Sequence, residues 1–129
     1  MARLRPLLIA LWWLLAPAPA LSQPGADSAA CQNATSTAAM RECEIERLKR
    51  ADAGMNAAYH SLRAKLDEKG RAKLRAAQQA WLKYRAAEAD YQADAARDGT
   101  LAPLIAASVQ ADLTESRRRE LEKAAKQLK

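Results

Sequence analysis

Residues 44–66 read EIERLKRADAGMNAAYHSLRAKL, and this stretch decides the fold of the chain. Its large apolar side chains recur at spacings of 3, 7, 4, 3 and 4 residues, which is the period of one face of an α-helix. They are Ile45, Leu48, Met55, Tyr59, Leu62 and Leu66. Thr35 or Ser36 is suited to cap the start of this helix, and the pattern ends just before Asp67. The sequence therefore predicts a first helix over residues 36–66.

Two more helices are predicted downstream. Asp67 is a candidate N-cap for the second helix, and Gly99 suits the turn that follows it. Thr100 is a candidate N-cap for the third helix, where Pro103 falls in the first turn and its missing N–H costs little. The expected inner face of the second helix is Leu74, Ala77 or Gln78, Trp81, Tyr84 or Arg85, Glu88 and Tyr91. The expected apolar side of the third helix is Ile105, Val109, Leu113, Leu121 and Leu128.

The expected fold class is all-α, because the residues after Ser36 are mostly strong helix formers and no segment alternates like a β-strand. Three helices joined by short turns must run antiparallel to bury their apolar faces against one another. We therefore predict a small three-helix antiparallel bundle over residues 36–129, arranged up-down-up. Residues 23–35 contain Pro24, Gly25 and several small polar residues, and we expect them to form an irregular strap.

The first 22 residues have the pattern of a cleaved secretion signal. Two arginines precede an apolar run over residues 7–15, and small residues follow the run. The run is shorter than the ~20 residues of a membrane span, so we expect cleavage, with a mature chain that starts at Leu21 or Gln23. No cysteine stands at the cleavage point to carry a lipid. The predicted location is periplasmic or secreted, with no stable membrane span after signal cleavage.

The chain has two cysteines, Cys31 and Cys43, which are separated by eleven residues. In an oxidising compartment such a pair is most simply a disulfide. The alternative is a reactive or metal-binding pair, which would need CxxC spacing or histidine partners, and the chain has one histidine. We predict a structural bridge that holds the strap against the first helix. The chain-entropy estimate for so small a loop is roughly 3 kcal/mol.

The charge pattern favours a solvated helical surface over a dedicated anionic-ligand patch. Removing residues 1–22 takes two of the 21 basic side chains and leaves 19 against 15 acidic ones, a net charge of +4. The two signs alternate along the predicted helices, which is typical of exposed faces. Nucleic-acid binding is not expected, because it fits neither an export signal nor the expected lack of exposed aromatic residues for base stacking.

Five polar residues lie on or beside the predicted apolar faces. They are Asp52, Asn56, Gln78, Arg85 and Arg117. Burying a charge costs much free energy unless the charge is paired. We therefore predict that these five side chains hydrogen-bond among themselves and fix the register of the helices.

The same residues carry a resemblance to a known family. In chain order the matching segments are Cys31, Met40-Arg41-Glu42-Cys43, Asp52-Ala53-Gly54-Met55-Asn56-Ala57-Ala58-Tyr59, LRAAQQAWLKYR at residues 74–85, and Leu113-Thr114 with Arg117 and Leu121. This order resembles the LprI family of small secreted helical proteins, named after a mycobacterial lipoprotein described as a lysozyme inhibitor. The resemblance implies structural roles for the family-motif residues Asp52, Asn56, Tyr59, Gln78, Trp81, Tyr84, Arg85, Thr114 and Arg117.

The chain departs from the family pattern at two linked positions. Family members typically carry a cysteine four residues after the motif arginine and another a few residues before the Leu-Thr pair, and these positions are Ala89 and Val109 here. We predict that Ala89 and Val109 face each other between the second and third helices, where apolar packing replaces a covalent link. The lipid-attachment cysteine of the namesake is also absent, so the resemblance implies a protein that is not anchored.

We expect a non-enzyme that needs no cofactor and no metal. Catalysis requires a nucleophile with a base, a metal cage, or two carboxylates in distinct environments. His60 is the single histidine, and both cysteines are expected in the disulfide. Asp90 and Asp94 lie one turn apart, but like charges on an exposed helix are commonplace.

Two functions from different classes are left open. The resemblance implies inhibition of lysozyme or another glycan hydrolase by protein binding. Our own candidate for the element that enters the hydrolase cleft is the turn Arg97-Asp98-Gly99-Thr100. Many lysozymes are strongly basic, so a net charge of +4 would repel them at long range. The alternative is an envelope interaction or scaffold module without hydrolase inhibition, which binds an envelope protein or an anionic envelope component through a basic tail. That tail is Arg117-Arg118-Arg119 followed by Lys123, Lys126 and Lys129.

Overall fold

Three long helices form close to where the sequence predicts them. A computed structural model describes residues 30–128; its long helices are α1 (Thr37–Ala64), α2 (Glu68–Ala93) and α3 (Leu101–Gln127). No strand occurs in the described residues, so the all-α class is confirmed. No helix in that range is long and apolar enough to cross a membrane. The predicted signal, residues 1–22, and most of the strap lie outside the described residues.

Capping side chains explain the first two helix starts. Ser36 Oγ accepts a hydrogen bond from the Ala39 amide at 3.1 Å, and Asp67 Oδ1 accepts one from the Gly70 amide at 2.7 Å. Each bond satisfies one of the N–H groups that a first helical turn leaves unpaired. Thr100 stands at the N-cap position of α3, but its side chain makes no capping hydrogen bond. The expected position was therefore correct for all three caps, and the expected side-chain bond was wrong for Thr100.

The helix count of three is not exact. Residues 30–32 are already helical, in addition to the three long helices, and the chain then turns before α1 begins. The part of the strap within the described range is therefore not irregular throughout. Cys31 is 1 % exposed and is bonded to Cys43 of α1, with the two Cα atoms 5.4 Å apart. The predicted disulfide is confirmed, and it fixes this helical turn to the start of α1.

Hydrogen bonds between helices define the topology. Arg47 near the start of α1 donates to Asp112 in the middle of α3, and Lys65, just after α1, donates to the carbonyl of Ala125 near the end of α3. α1 and α3 therefore run in the same direction. α2 runs the opposite way, because its residues pair in descending order with ascending residues of α1. The helices thus follow the predicted up-down-up course.

The core lies mainly between α1 and α3. These two helices pack along much of their length, whereas α2 packs on α3 through a narrower face and touches α1 at few places. The buried residues of the core cluster are Met55, Ala58, Leu62, Leu121 and Ala125. Partly buried side chains surround the cluster: Tyr59, Leu66, Leu74, Trp81 and Ala124.

The predicted inner faces need a correction. The buried residues are Glu44, Arg47, Ala51, Met55, Ala58 and Leu62 on α1, and Ala107, Ala111, Thr114, Leu121 and Ala125 on α3. Small side chains therefore occupy much of the line of contact, and the predicted Ile45, Leu48 and Val109 are only half-buried. Helices that approach closely leave little room for large side chains along that line. On α2, Tyr91 was predicted inside and is 75 % exposed; of the alternatives Tyr84 and Arg85, Tyr84 is 52 % exposed and Arg85 is half-buried.

The turn between α2 and α3 also differs from the expectation. A one-turn 3-10 helix, Asp94–Ala96, follows α2 and precedes the turn. The residue with left-handed backbone is Asp98, with φ of 64°, and not Gly99. Aspartate is one of the few residues other than glycine that tolerate this region, because its short polar side chain bonds locally. The amide of Gly99 donates to the carbonyl of Ala96 at 3.1 Å and closes the turn.

Candidate functional site

Motif residues from all three helices meet around Arg85. Its Nη1 donates to Asp52 Oδ1 of α1 at 2.6 Å and to Thr114 Oγ1 of α3 at 2.8 Å. Thr114 is fully buried and donates in turn to the carbonyl of Gln110 at 2.7 Å. One guanidinium therefore ties α1, α2 and α3 together at a single level of the bundle.

A second set of motif contacts lies nearer the start of α2. The amide nitrogen of Gln78 donates to Met55 Sδ at 3.3 Å, and its oxygen accepts from Arg117 Nε at 3.1 Å. Arg117 also pairs with Glu120 at 3.0 Å. Gln78 is buried, so these partners satisfy an amide that would otherwise be costly to remove from water.

Trp81 joins the two sets of contacts. The guanidinium carbons of Arg85 and Arg117 lie 5.2 Å and 5.9 Å from its ring centroid, which is within the range of a cation–π interaction. The ring also packs against the core cluster. Each of the two cations has its own carboxylate partner, Asp52 or Glu120, so both can share one indole. The arrangement joins all three helices, and we call it the motif lock.

Several motif residues lie outside this lock. Asn56 is exposed, and within residues 30–128 no hydrogen bond joins it to the other four polar side chains, contrary to our expectation. Tyr59 is half-buried and meets the exposed His60 edge to face at 5.5 Å. Ala89 is 1 % exposed on α2 and Val109 is half-buried on α3. Their direct contact stays a prediction.

A second polar cluster, which the sequence analysis missed, lies between α1 and α3. Arg47 is 1 % exposed and pairs with Glu44 at 2.7 Å, Asp112 at 2.8 Å and Glu115 at 3.1 Å. Its Nη2 donates to the carbonyl of Ser108 at 3.1 Å. Glu44 and Arg47 are spaced in helical phase with the buried Ala51 and Met55, and this phase was the signal that could have revealed them.

Arg47 is charged in the folded protein. Burial by itself would lower the pKa of its guanidinium, but the hydrogen bonds and charges of Glu44 and Asp112 outweigh burial and raise the pKa above its ordinary value. A buried charge with this many partners fixes how α1 and α3 fit together. Like the motif lock, the cluster is therefore architectural.

The turn that was predicted to bind a partner is exposed. Arg97, Asp98, Gly99 and Thr100 all lie at the surface, and Arg97 pairs with Asp94 beside the turn. Because α2 ends and α3 begins here, the turn lies at the same end of the bundle as the start of α1. The turn therefore offers a cation and a carboxylate on a short, closed loop.

Charge is segregated along the molecule, which corrects the expectation of alternating signs. Residues 63–85 carry eight basic and two acidic side chains, whereas residues 86–116 carry six acidic and one basic. The topology places the second set in the half of the bundle that contains the turn. That half is acidic although the chain as a whole is basic.

The described residues offer no arrangement suited to a metal. Within residues 30–128, no three or more histidine, cysteine, aspartate or glutamate side chains are grouped to hold an ion. His60 is exposed, and Asp90 and Asp94 are exposed on α2.

Comparison with known proteins identifies the family. The family described as "Lysozyme inhibitor LprI" matches residues 28–121. No curated protein and no solved structure matches the chain. The matched region covers both cysteines and every residue of the lock around Arg85 and Trp81. The chain therefore belongs to the LprI family.

Proposed function

We propose that the protein inhibits a lysozyme-type glycan hydrolase outside the cytoplasm by binding to it. Membership of the LprI family over residues 28–121 is the observation that carries this proposal. The buried motif lock supports a framework role for the motif residues, which leaves recognition to the surface.

The turn Arg97-Asp98-Gly99-Thr100 is our proposed inhibitory element. A glycan hydrolase has catalytic carboxylates in a cleft, and Arg97 would present a guanidinium to them in exchange for its pairing with Asp94. The hydrogen bond from Arg85 to Thr114 holds the two helices that flank the turn in register. A turn that is ordered before binding loses less conformational entropy on association.

The proposed location is the periplasm or the exterior of the cell, after cleavage of residues 1–22. The Cys31–Cys43 disulfide fits an oxidising compartment. Mass spectrometry of the exported chain tests this, because a mature start at Leu21 or Gln23 is expected and an intact Met1 would contradict it.

The alternative of a scaffold module that binds an anionic envelope component has weaker support. Arg117 pairs with Gln78 and Glu120, and Arg118 pairs with Glu122 at 3.0 Å. Two of the three adjacent arginines are therefore engaged within the protein. The proposed basic tail has fewer free cations than the sequence suggested, although Arg119 is exposed.

Lysis of a peptidoglycan suspension tests the proposed function directly. Several lysozyme types are assayed with and without a micromolar excess of the oxidised mature protein, and dose-dependent inhibition of at least one type is expected. Arg97→Ala should weaken that inhibition about tenfold at unchanged helicity. Arg119→Ala is the matched control, because it removes an exposed arginine from α3. If no lysozyme type is inhibited, the proposed function is wrong. If the unsubstituted protein inhibits a lysozyme and Arg97→Ala inhibits it equally well, the assignment of the turn is wrong.

A further inference from the structure

The outward side of α2 presents an aromatic surface that does not contribute to the core. Tyr84 and Tyr91 are 52 % and 75 % exposed, and neither belongs to the core cluster or its surround. They are seven residues apart, which places them on the same side of the helix, roughly 10 Å apart along its axis. Exposed alanines, Ala80 and Ala87, lie on the same side. Aromatic side chains of this kind are enriched at protein interfaces and dominate their binding energy.

Acidic side chains border Tyr91, whereas the exposed Lys83 adjoins Tyr84. Asp90 and Asp94 are exposed beside Tyr91. Between residues 88 and 98 the chain carries four carboxylates and a single basic side chain, Arg97, which is paired with Asp94. An apolar centre with a charged rim is the usual composition of a protein-binding surface.

The local charge of this surface, rather than the net charge of the chain, governs close approach. Charges separated by more than about 10 Å are largely screened at physiological salt. The basic side chains are concentrated in residues 63–85 and 117–126, toward the opposite end of the bundle. A basic partner that approaches residues 88–98, at the C-terminal end of α2, therefore meets a negative surface, and the objection from net charge does not apply there.

The size of a stable interface also requires more than the turn. Specific complexes bury about 800 Å² on each partner, contributed by some tens of residues. The four residues 97–100 are too few to supply that area, whereas α2 adjoins them directly. The exposed residues from Tyr84 through Tyr91 to the turn add to the surface that the turn alone can supply.

We propose that the outward face of α2, defined by Tyr84, Tyr91, Asp90 and Asp94, is the docking surface for a basic hydrolase. This inference rests on the proposed function and deepens it by naming the surface and the charge of the partner. The tyrosines supply apolar contact area, the aspartates guide and orient a basic protein surface, and the turn then reaches the cleft.

A matched pair of double variants tests the docking surface. Asp90→Asn with Tyr91→Ala removes one charge and one exposed aromatic ring from it. Glu68→Gln with Leu128→Ala removes one exposed carboxylate and one exposed apolar side chain at the opposite end of the bundle. Neither pair contains a buried residue, so circular dichroism should show both variants folded.

Binding to an immobilised basic lysozyme and inhibition of lysis by that lysozyme are measured side by side. The unsubstituted protein should do both, the first variant should lose about tenfold or more in both, and the control variant should match the unsubstituted protein. Inhibition at full strength by the first variant would overturn the docking surface and leave the inhibitor function intact. If the unsubstituted protein binds the lysozyme without inhibiting it, and the first variant loses this binding, the docking surface is supported and the inhibitor function is overturned. If the unsubstituted protein does not bind the basic lysozyme, the docking proposal is overturned. Inhibition of a different lysozyme type would in that case still support the proposed inhibitor function.

Discussion

The α1–α3 pair and the helix α2 are built on different principles. α1 and α3 approach along a line of small side chains, such as Ala51, Ala58 and Ala111, and enclose the fully paired Arg47. α2 has three buried residues, Gln78, Ala89 and Ala93. It is held instead by side chains that reach across to the other two helices, above all Arg85 and Trp81.

The difference separates stability from recognition. A helix whose attachment uses a narrow polar and aromatic face keeps the rest of its surface for other contacts, whereas a helix with a broad buried face does not. All five buried residues of the core cluster belong to α1 and α3. α2 then carries the exposed tyrosines and leads into the turn at residues 97–100.

Arg47→Ala breaks the α1–α3 pair and should have the largest effect. It leaves Glu44 buried without its cation and the carbonyl of Ser108 without its donor. Removing one partner of a buried ion pair costs about 3–5 kcal/mol, against a total stability of about 5–15 kcal/mol for such domains. The measurement is the free energy of unfolding from urea denaturation. The double variant Glu44→Leu with Arg47→Met, which replaces both charges by apolar groups, should recover much of the loss.

Arg118→Ala is the control for Arg47→Ala. Arg118 is a half-buried arginine that pairs with Glu122 at the surface of α3, and exposed pairs contribute at most about 1 kcal/mol. Equal losses for Arg118→Ala and Arg47→Ala would show that burial of Arg47 has no special role in the α1–α3 interface.

Removal of the disulfide should have the next largest effect. Cys31 and Cys43 are twelve positions apart, and the loop-entropy relation gives about 3 kcal/mol for a closed loop of this length. Cys31→Ala with Cys43→Ala should therefore lower the thermal midpoint by more than about 10 °C. The loss should concentrate at the turn of residues 30–32 and the start of α1, so hydrogen exchange there should rise more than in α2. An unchanged midpoint would remove the structural role of the bridge.

Trp81→Ala tests whether α2 depends on its aromatic lock. The indole is half-buried against the core and contacts two guanidiniums. We expect a loss of about 2 kcal/mol, less than the 3–5 kcal/mol typical of a fully buried aromatic ring. Amide exchange should accelerate in α2 before α1 and α3, because local opening follows the weakest attachment. Tyr84→Ala, one turn away and exposed, should stay within about 0.5 kcal/mol of the unsubstituted protein.

Local chemistry explains what the sequence predicts well. Ser36 and Asp67 each bond an amide three residues away, so the residues that define these helix starts are adjacent in the chain. The residues around Trp81 and Arg85 could be recognised as a motif because they follow one another in the chain in the order that the family shows. The all-α class and the up-down-up course follow from helical periodicity and short connections.

The features that the sequence does not predict depend on contacts between residues that lie far apart in the chain. Arg47 looks like part of a solvated charge run, and its burial depends on acceptors of α3 that lie 61–68 residues away. On α2 the sequence allowed Tyr84 or Arg85 on the inner face, and the position of Asp52 and Thr114 decides for Arg85. In alanine-rich helices, side-chain size is therefore a poor guide to burial.

Substitutions at Asp98 should have the smallest effect on stability and separate the turn from both helical interfaces. Its φ of 64° lies in the left-handed region, where asparagine is favoured and β-branched residues are strained. Asp98→Asn should stay within about 0.5 kcal/mol of the unsubstituted protein, and Asp98→Val should lose about 1 kcal/mol. Urea denaturation measures both.

Hydrolase binding by the same two variants separates charge from shape, because Asp98→Asn removes the charge of the side chain and keeps the backbone conformation of the turn. If Asp98→Asn weakens hydrolase binding and Asp98→Val weakens it further, both the carboxylate and the shape of the turn contribute. If Asp98→Val alone weakens binding, the turn acts through its shape, and the acidic contribution comes from Asp90 and Asp94 of α2.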